Sequence, residues 1–225
     1  VVRTAVDAQP LRRSGPRAGE PFTVGYLSVI APRKGLHVLV EACGLLAERG
    51  RDFRLRVAGQ VLNRRYWGQI QRSVRRAGLS DRFEHLGEVT LDEKIAMLHS
   101  LSAFCQPSIQ PEVLGTTALE AMAAGLPVVV PEDGVFPEMM ELTGGGVLFG
   151  PEHPEALASA LARLMDHPGE ADRLAGSGAQ AVAQYYSPDA VAGDMEAVLA
   201  QAVGSQQRVR RGVAGEGTVQ TGEEG

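Results

Sequence analysis

The chain has 225 residues, of which 44% are hydrophobic and 22% charged, and its formal net charge is -5. That composition suits one sizeable α/β domain with flexible ends, and no apolar run reaches the length that a bilayer requires. The acidic balance argues against a nucleic-acid partner, which needs a surplus of clustered Lys and Arg, and leaves small molecules or proteins.

Residues 1–20 carry Pro10, Gly15, Pro16 and Gly19 among scattered charges, and show little periodicity after Val1 and Val2. This is the chemistry of a linker. Val1 is not an initiator methionine and no signal-peptide layout follows it, so the sequence is expected to begin partway through a longer protein. A strand is expected over Phe22 to Ile30, followed by a helix with Leu36, Leu39, Val40, Cys43 and Leu46 on one face. The alternation continues with a strand Phe53 to Ala58, a polar helix near Tyr66 to Ala77, a strand Arg82 to Leu86 and a helix near Leu91 to Leu101. Ala103 to Gln106 and Val128 to Val130 read as short buried strands on either side of a helix from about Thr116 to Ala124. Val147 to Phe149 makes a sixth strand, and Pro154 to Met165 an amphipathic helix built on Leu157, Leu161 and Leu164. One or two further helices carry the chain to about Val203. Beyond Gly204 there is no aromatic, Leu or Ile, so the tail is expected to stay disordered. Strands and helices in this alternation imply a parallel, doubly wound, Rossmann-like sheet.

In such a sheet ligands bind beyond the carboxyl ends of the strands, so chemistry is sought in the loops that follow them. The most informative segment runs from Pro111-Glu112-Val113-Leu114-Gly115-Thr116-Thr117 through Glu120 to Ala121-Met122-Ala123-Ala124-Gly125-Leu126-Pro127-Val128. Seven residues separate Glu112 from Glu120. A helix starting near Gly115 offers unpaired N–H groups and the positive end of its dipole to a diphosphate. Glu120, just over a turn inside that helix, is placed to accept hydrogen bonds from a vicinal diol. Glu112, in the preceding loop, is placed to hold hydroxyls of a second ring.

The segment closely resembles the signature of the family-four retaining glycosyltransferases, in which two glutamates so spaced frame a glycine loop and lead into an Ala-Met-Ala-x-Gly-x-Pro-Val run. The resemblance covers roughly Phe22 to Tyr186. It implies that Glu112 contacts the donor sugar and Glu120 the nucleotide ribose, with Leu114, Gly115, Thr116 and Thr117 offering backbone donors. Pro32-Arg33-Lys34-Gly35 resembles the family turn whose lysine reaches the donor diphosphate, where it neutralises charge on the leaving group. Lys34 and Glu112 are therefore the expected catalytic residues. Gly87-Glu88-Val89 resembles the turn bordering the nucleobase, and Gly59 follows its strand in an equivalent place. Gly134, Phe136 and Glu138 resemble a family loop that precedes a short helix.

One departure bears on mechanism. The family places an arginine five residues before the lysine, and here that position is Val29. Its loss removes a charge-assisted donor to the diphosphate. Arg33 lies close in sequence, but its turn position need not aim it at the same phosphate.

The absences narrow the chemistry. No P-loop pattern or Gly-x-Gly-x-x-Gly occurs. His37, His85, His99, His153 and His167 lack metal-ligand spacing, and Cys43 and Cys105 form no Cys-x-x-Cys pair. No metal or other cofactor is expected beside a nucleotide diphosphate sugar as donor substrate. The two cysteines lie in apolar runs and read as reduced core thiols of a cytoplasmic protein.

By the resemblance, residues 21–186 form the carboxyl-terminal, nucleotide-sugar-binding half of a GT-B fold. Residues 187–203 then form a helix crossing toward a missing amino-terminal acceptor domain, which alone would make any peripheral membrane contact. Residues 1–20 are the linker and residues 204–225 the tail. The implied reaction is hexosyl transfer with retention and without a metal, and the isolated chain is expected to be inactive. The rivals are a catalytically silent nucleotide-sugar-binding or interaction module and half of a GT-B nucleotide-sugar epimerase.

Overall fold

A computed structural model describes residues 3–13 and 21–215, with side chains as far as residue 201. Its centre is a six-stranded sheet built from β1 (Phe22–Leu27), β2 (Phe53–Ala58), β3 (Phe83–Gly87), β4 (Ala103–Cys105), β5 (Val128–Pro131) and β6 (Gly146–Phe149). Every pairing is parallel and the order is β3-β2-β1-β4-β5-β6, the Rossmann-like arrangement expected. The helices are α1 (Leu36–Glu48), α2 (Arg64–Arg76), α3 (Leu91–His99), α4 (Thr116–Ala123), α5 (Phe136–Thr143), α6 (Pro154–Asp166), α7 (Pro168–Tyr185) and α8 (Pro188–Gly215).

The local sequence accounts for these elements. Val128, Val129 and Val130 are buried throughout, as a strand covered on both faces requires. The α3 helix starts on a capping box, with the Thr90 hydroxyl accepting from the Glu93 amide while the Glu93 carboxylate accepts from the Thr90 amide. The α6 and α7 helices each begin with proline, where its missing N–H costs nothing.

Two apolar clusters cover the sheet. Val24, Tyr26, Leu55 and Val57 pack with Leu39, Cys43, Ile70 and Leu161 on one side. Phe104, Val128 and Val130 pack with Leu98, Leu119, Met122, Phe136 and Val182 on the other. Cys43 on α1 and Cys105 at the end of β4 are both fully buried in the first cluster. Among the described residues no helix is long and apolar enough to cross a membrane.

The strand order reverses between β1 and β4. Their successor helices leave toward opposite faces there, which opens a crevice beyond their carboxyl ends. The loops after these two strands carry Val29 and Lys34 on one side and Glu112 on the other.

Four expectations are corrected. The first strand ends at Leu27 and not Ile30, because residues 28–30 leave the sheet and Ile30 bridges Val61 in the loop after β2. Residues 3–13 are a docked strap rather than free linker. Val6 and Leu11 are buried in the second cluster, the Val6 amide donates to the Tyr186 carbonyl at 2.8 Å, and Arg3 pairs with Asp194 at 2.9 Å. Residues 1–2 and 14–20 of the expected linker lie outside the described residues.

The last helix was expected to stop near Val203 and instead runs to Gly215. Gln206, Gln207, Arg208, Arg210 and Arg211 are good helix formers, a propensity that an argument from hydrophobic content overlooks. The rest of the expected tail, residues 216–225, lies outside the described residues. Finally, Phe136 and Glu138 do not precede a short helix but form the start of α5.

Candidate functional site

The loops that follow β1, β4 and β5 meet at the switch point by backbone contact. A short 3-10 turn, Pro32–Lys34, ends on Gly35 at φ 69°, and a Cβ there would sit 1.7 Å from the Pro107 carbonyl oxygen. The Ile109 amide donates to the Arg33 carbonyl at 3.0 Å, stitching the first loop to the fourth. Gly134, at φ 59°, lies so close to Glu112 that a Cβ would fall 2.5 Å from its carbonyl oxygen, and that oxygen accepts from the Val135 amide at 2.9 Å. The loop after β5 therefore holds the Glu112 backbone, which gives Gly134 the role that its sequence left open.

The Lys34 ammonium donates to Glu112 Oε1, and the Ser108 hydroxyl donates to the same oxygen at 2.7 Å. Gln106, at 4% exposure, also presents its side-chain amide to the carboxylate. Burial pushes the Glu112 carboxyl up, but the hydrogen bonds from Lys34, Ser108 and Gln106 together with the Lys34 charge outweigh it and hold it below its usual value. A carboxyl depressed in the native state contributes stability that is present above the unfolded value of about 4.3 and is lost as pH falls through the lower native value. Acid unfolding followed by circular dichroism is thus expected to separate the native chain from Glu112→Gln above pH 4, with the two curves converging at lower pH. Curves that stay equally far apart at every pH would refute this assignment.

A second group lies beside the first. The loops after β1, β2 and β3 and the facing sides of α3 and α4 enclose a cavity of about 430 Å³, within the size range of small-molecule sites. Val29, Gly59, Val89, Thr117 and Glu120 all line it. Val29 is partly exposed, and its carbonyl accepts from the Tyr26 hydroxyl at 3.3 Å. Burial above all pushes the Tyr26 phenol well up, so it stays protonated and can donate. Gly87 does not line the cavity but supports it, its carbonyl accepting from the Gly59 amide at 2.7 Å.

Gly115 caps α4 at φ 62°, and the first intrahelical bond runs from the Leu119 amide to the Gly115 carbonyl. The amides of Thr116, Thr117 and Ala118 precede that bond and form the helix's donor end. Leu114 is 55% and Val113 81% exposed on the loop between Glu112 and the helix. Arg33 is exposed and does not line the cavity.

Sequence reasoning missed the partner of Glu120. Lys94, near the start of α3, donates to Glu120 Oε1 at 2.7 Å, and both side chains are about four-fifths buried, at 22% and 20% exposure. Both glutamates of the motif are therefore paired with a lysine. Ser108 and Gln106 were also missed. Ser108 follows Pro107 just beyond a short strand, and Lys94 follows the Gly87-Glu88-Val89 turn by five residues, signals that could have placed both near the site, whereas nothing at Gln106 itself points to it. Among the described residues no cluster of His, Cys, Asp and Glu suited to a metal ion occurs.

Comparison with known proteins places this geometry in a family context. The sequence pattern described as Glycosyl transferases group 1 matches residues 7–181. A 2-deoxystreptamine glucosyltransferase of Streptomyces kanamyceticus is 34% identical over 153 residues, covering 68% of this chain and 38% of the relative. A phosphatidyl-myo-inositol mannosyltransferase of Mycobacterium leprae is 31% identical over 182 residues, covering 80% and 46%. The chain thus spans less than half the length of these relatives. Among solved structures, Anabaena HepE in complex with UDP and glucose superposes with a TM-score of 0.77 at 21% identity, covering 87% of this chain and 55% of that one. The isolated carboxyl-terminal domain of a group 1 glycosyl transferase from Francisella tularensis superposes at 0.74 with 23% identity, covering 82% of this chain and all of that one.

Proposed function

Since the chain belongs to the group 1 glycosyl transferases, we propose that it is the donor-binding half of a two-domain retaining enzyme and that its cavity takes a nucleotide diphosphate sugar. The observation that carries this reading is the convergence of Glu120, Thr117 and the turns at Gly59 and Val89 on one cavity, with the Lys34 and Glu112 pair beside it. Glu120 accepts the ribose diol, the N-terminal amides of α4 meet the diphosphate, and Glu112 holds hydroxyls of the transferred sugar. Lys34 leaves its pair with Glu112 to neutralise the departing diphosphate, while Ser108 and Gln106 keep the carboxylate in place. The leaving phosphate itself helps to take the acceptor's proton, so this half needs no protein base. The acceptor is bound by an amino-terminal domain, which α8 crosses to meet. Met195, Val198 and Leu199 of α8 are exposed and suit such a contact. Calorimetry with UDP, GDP and ADP tests the reading, and no heat with any of them at millimolar concentration would remove it.

Val29 favours a second reading, a donor-binding module without catalytic output. Because Val29 lines the cavity and is partly exposed, an arginine there has room to meet the diphosphate with a planar fork. Val29→Arg is expected to tighten nucleotide diphosphate binding by about 2 kcal/mol, a gain that shrinks as salt rises. A large fall in melting temperature without tighter binding would show that the position is a packing site and not a vacated phosphate contact.

A further inference from the structure

The family resemblance implies an arginine where this chain has Val29, and the cavity that Val29 lines holds a cation from a different element. Among the described residues that line the Val29 cavity, Lys94 is the only cation; the other charged side chains there are Glu88 and Glu120. A diphosphate entering a cavity bordered by two carboxylates is repelled unless a cation offsets them. Lys94 is held by Glu120 at 2.7 Å, in a cavity that Thr117, in the first turn of α4 with its free amides, also lines. Its flexible stem allows the ammonium to turn from the carboxylate to a phosphate oxygen without a backbone shift.

We propose that Lys94 supplies from α3 the second positive charge on the donor diphosphate that Val29 does not supply from the loop after β1. In the empty site Lys94 neutralises Glu120 and keeps the buried carboxylate in position. When nucleotide enters, the ribose hydroxyls take over Glu120 and Lys94 turns to the phosphates. The motif arginine and Lys94 are then interchangeable sources of charge at one site, reached from two walls of the same cavity. This rests on the nucleotide-sugar reading above.

The test is a four-way comparison of the native chain, Lys94→Met, Val29→Arg and the double variant. Each is titrated with the tightest of UDP, GDP and ADP at low and high salt, and with the matching nucleoside. Lys94→Met is expected to weaken the diphosphate roughly tenfold, to flatten its salt dependence and to leave the nucleoside nearly unchanged. Adding Val29→Arg should restore most of both the affinity and the salt dependence. Equal losses for nucleoside and diphosphate would overturn the proposal and leave Lys94 a partner of Glu120 alone. An unchanged diphosphate affinity and salt slope in Lys94→Met would overturn it too. Lys94→Gln, which keeps a donor without the charge, should behave as Lys94→Met; native-like binding would show that charge is not what matters. A native chain that binds none of the three nucleotides defeats the nucleotide reading itself, an outcome distinct from all of these.

Discussion

Gly35→Ala is expected to cost the fold more than about 3 kcal/mol, among the largest effects of any single methyl group in this chain. Gly35 stands at φ 69°, where a non-glycine residue costs about 1–2 kcal/mol. The larger part comes from packing: the new Cβ would meet the Pro107 carbonyl oxygen at 1.7 Å, and that atom belongs to backbone that no rotamer change can move aside. The loops after β1 and β4 would have to separate, taking Lys34 away from Glu112. Gly50 provides the control. Its φ is 71°, nearly the same, but a Cβ there meets nothing within 4 Å. Gly50→Ala should therefore lose only the backbone cost, and for a domain of this size the melting temperature should fall by roughly 2–4 °C per kcal/mol. Urea unfolding of the two variants side by side checks the claim. Similar losses would mean that the close approach of the two loops contributes little.

Glu120→Ala is expected to weaken ribonucleoside diphosphates about a hundredfold, as two hydrogen bonds to a charged acceptor are lost together. The same change should weaken 2'-deoxy nucleotides much less, because those have only one hydroxyl to give. Lys94 complicates the magnitude in a known direction. Freed from Glu120, it is available to the phosphates, so the measured loss is a lower bound on what the carboxylate contributes to ribose binding. Calorimetry with UDP and 2'-deoxy-UDP on both proteins decides the matter. Equal losses for the two ligands would mean that Glu120 does not hold the ribose.

Both predictions start from residues that the sequence singled out, and the fold explains why those were legible. Phe53–Ala58 has the expected bounds because its apolar and polar residues alternate, and the valine run of β5, which extends one residue further to Pro131, is recognisable because a strand buried on both faces has no polar residue to blur it. The glutamate motif lies within one short segment, so its spacing survives in the linear sequence. What escaped depends on contacts between distant segments. Lys94 and Glu120 are 26 positions apart, and nothing in either neighbourhood announces the pair. Gly134 reaches Glu112 only because β5 lies beside β4. Val6 and Leu11 sit among prolines, glycines and arginines, where two apolar residues look incidental until Tyr186 and the second cluster receive them.

The two buried cysteines give the domain a built-in clock. Alkylating reagents attack the thiolate, and burial pushes the Cys43 thiol up to about 12, and that of Cys105 up as well, chiefly by burial, with Cys43 adding to it. Both thiols are buried and held in the neutral form, out of reach of the reagent, so the closed chain is inert on the timescale of labelling. Modification then waits for the chain to open, and its rate reports how often it does. Cys43 lies on α1 and Cys105 at the end of β4, the strand whose following loop borders the crevice, and both sit in the first cluster. If both thiols are labelled at one rate the domain opens as a unit, and a nucleotide bound across that crevice slows the two labels by the same factor.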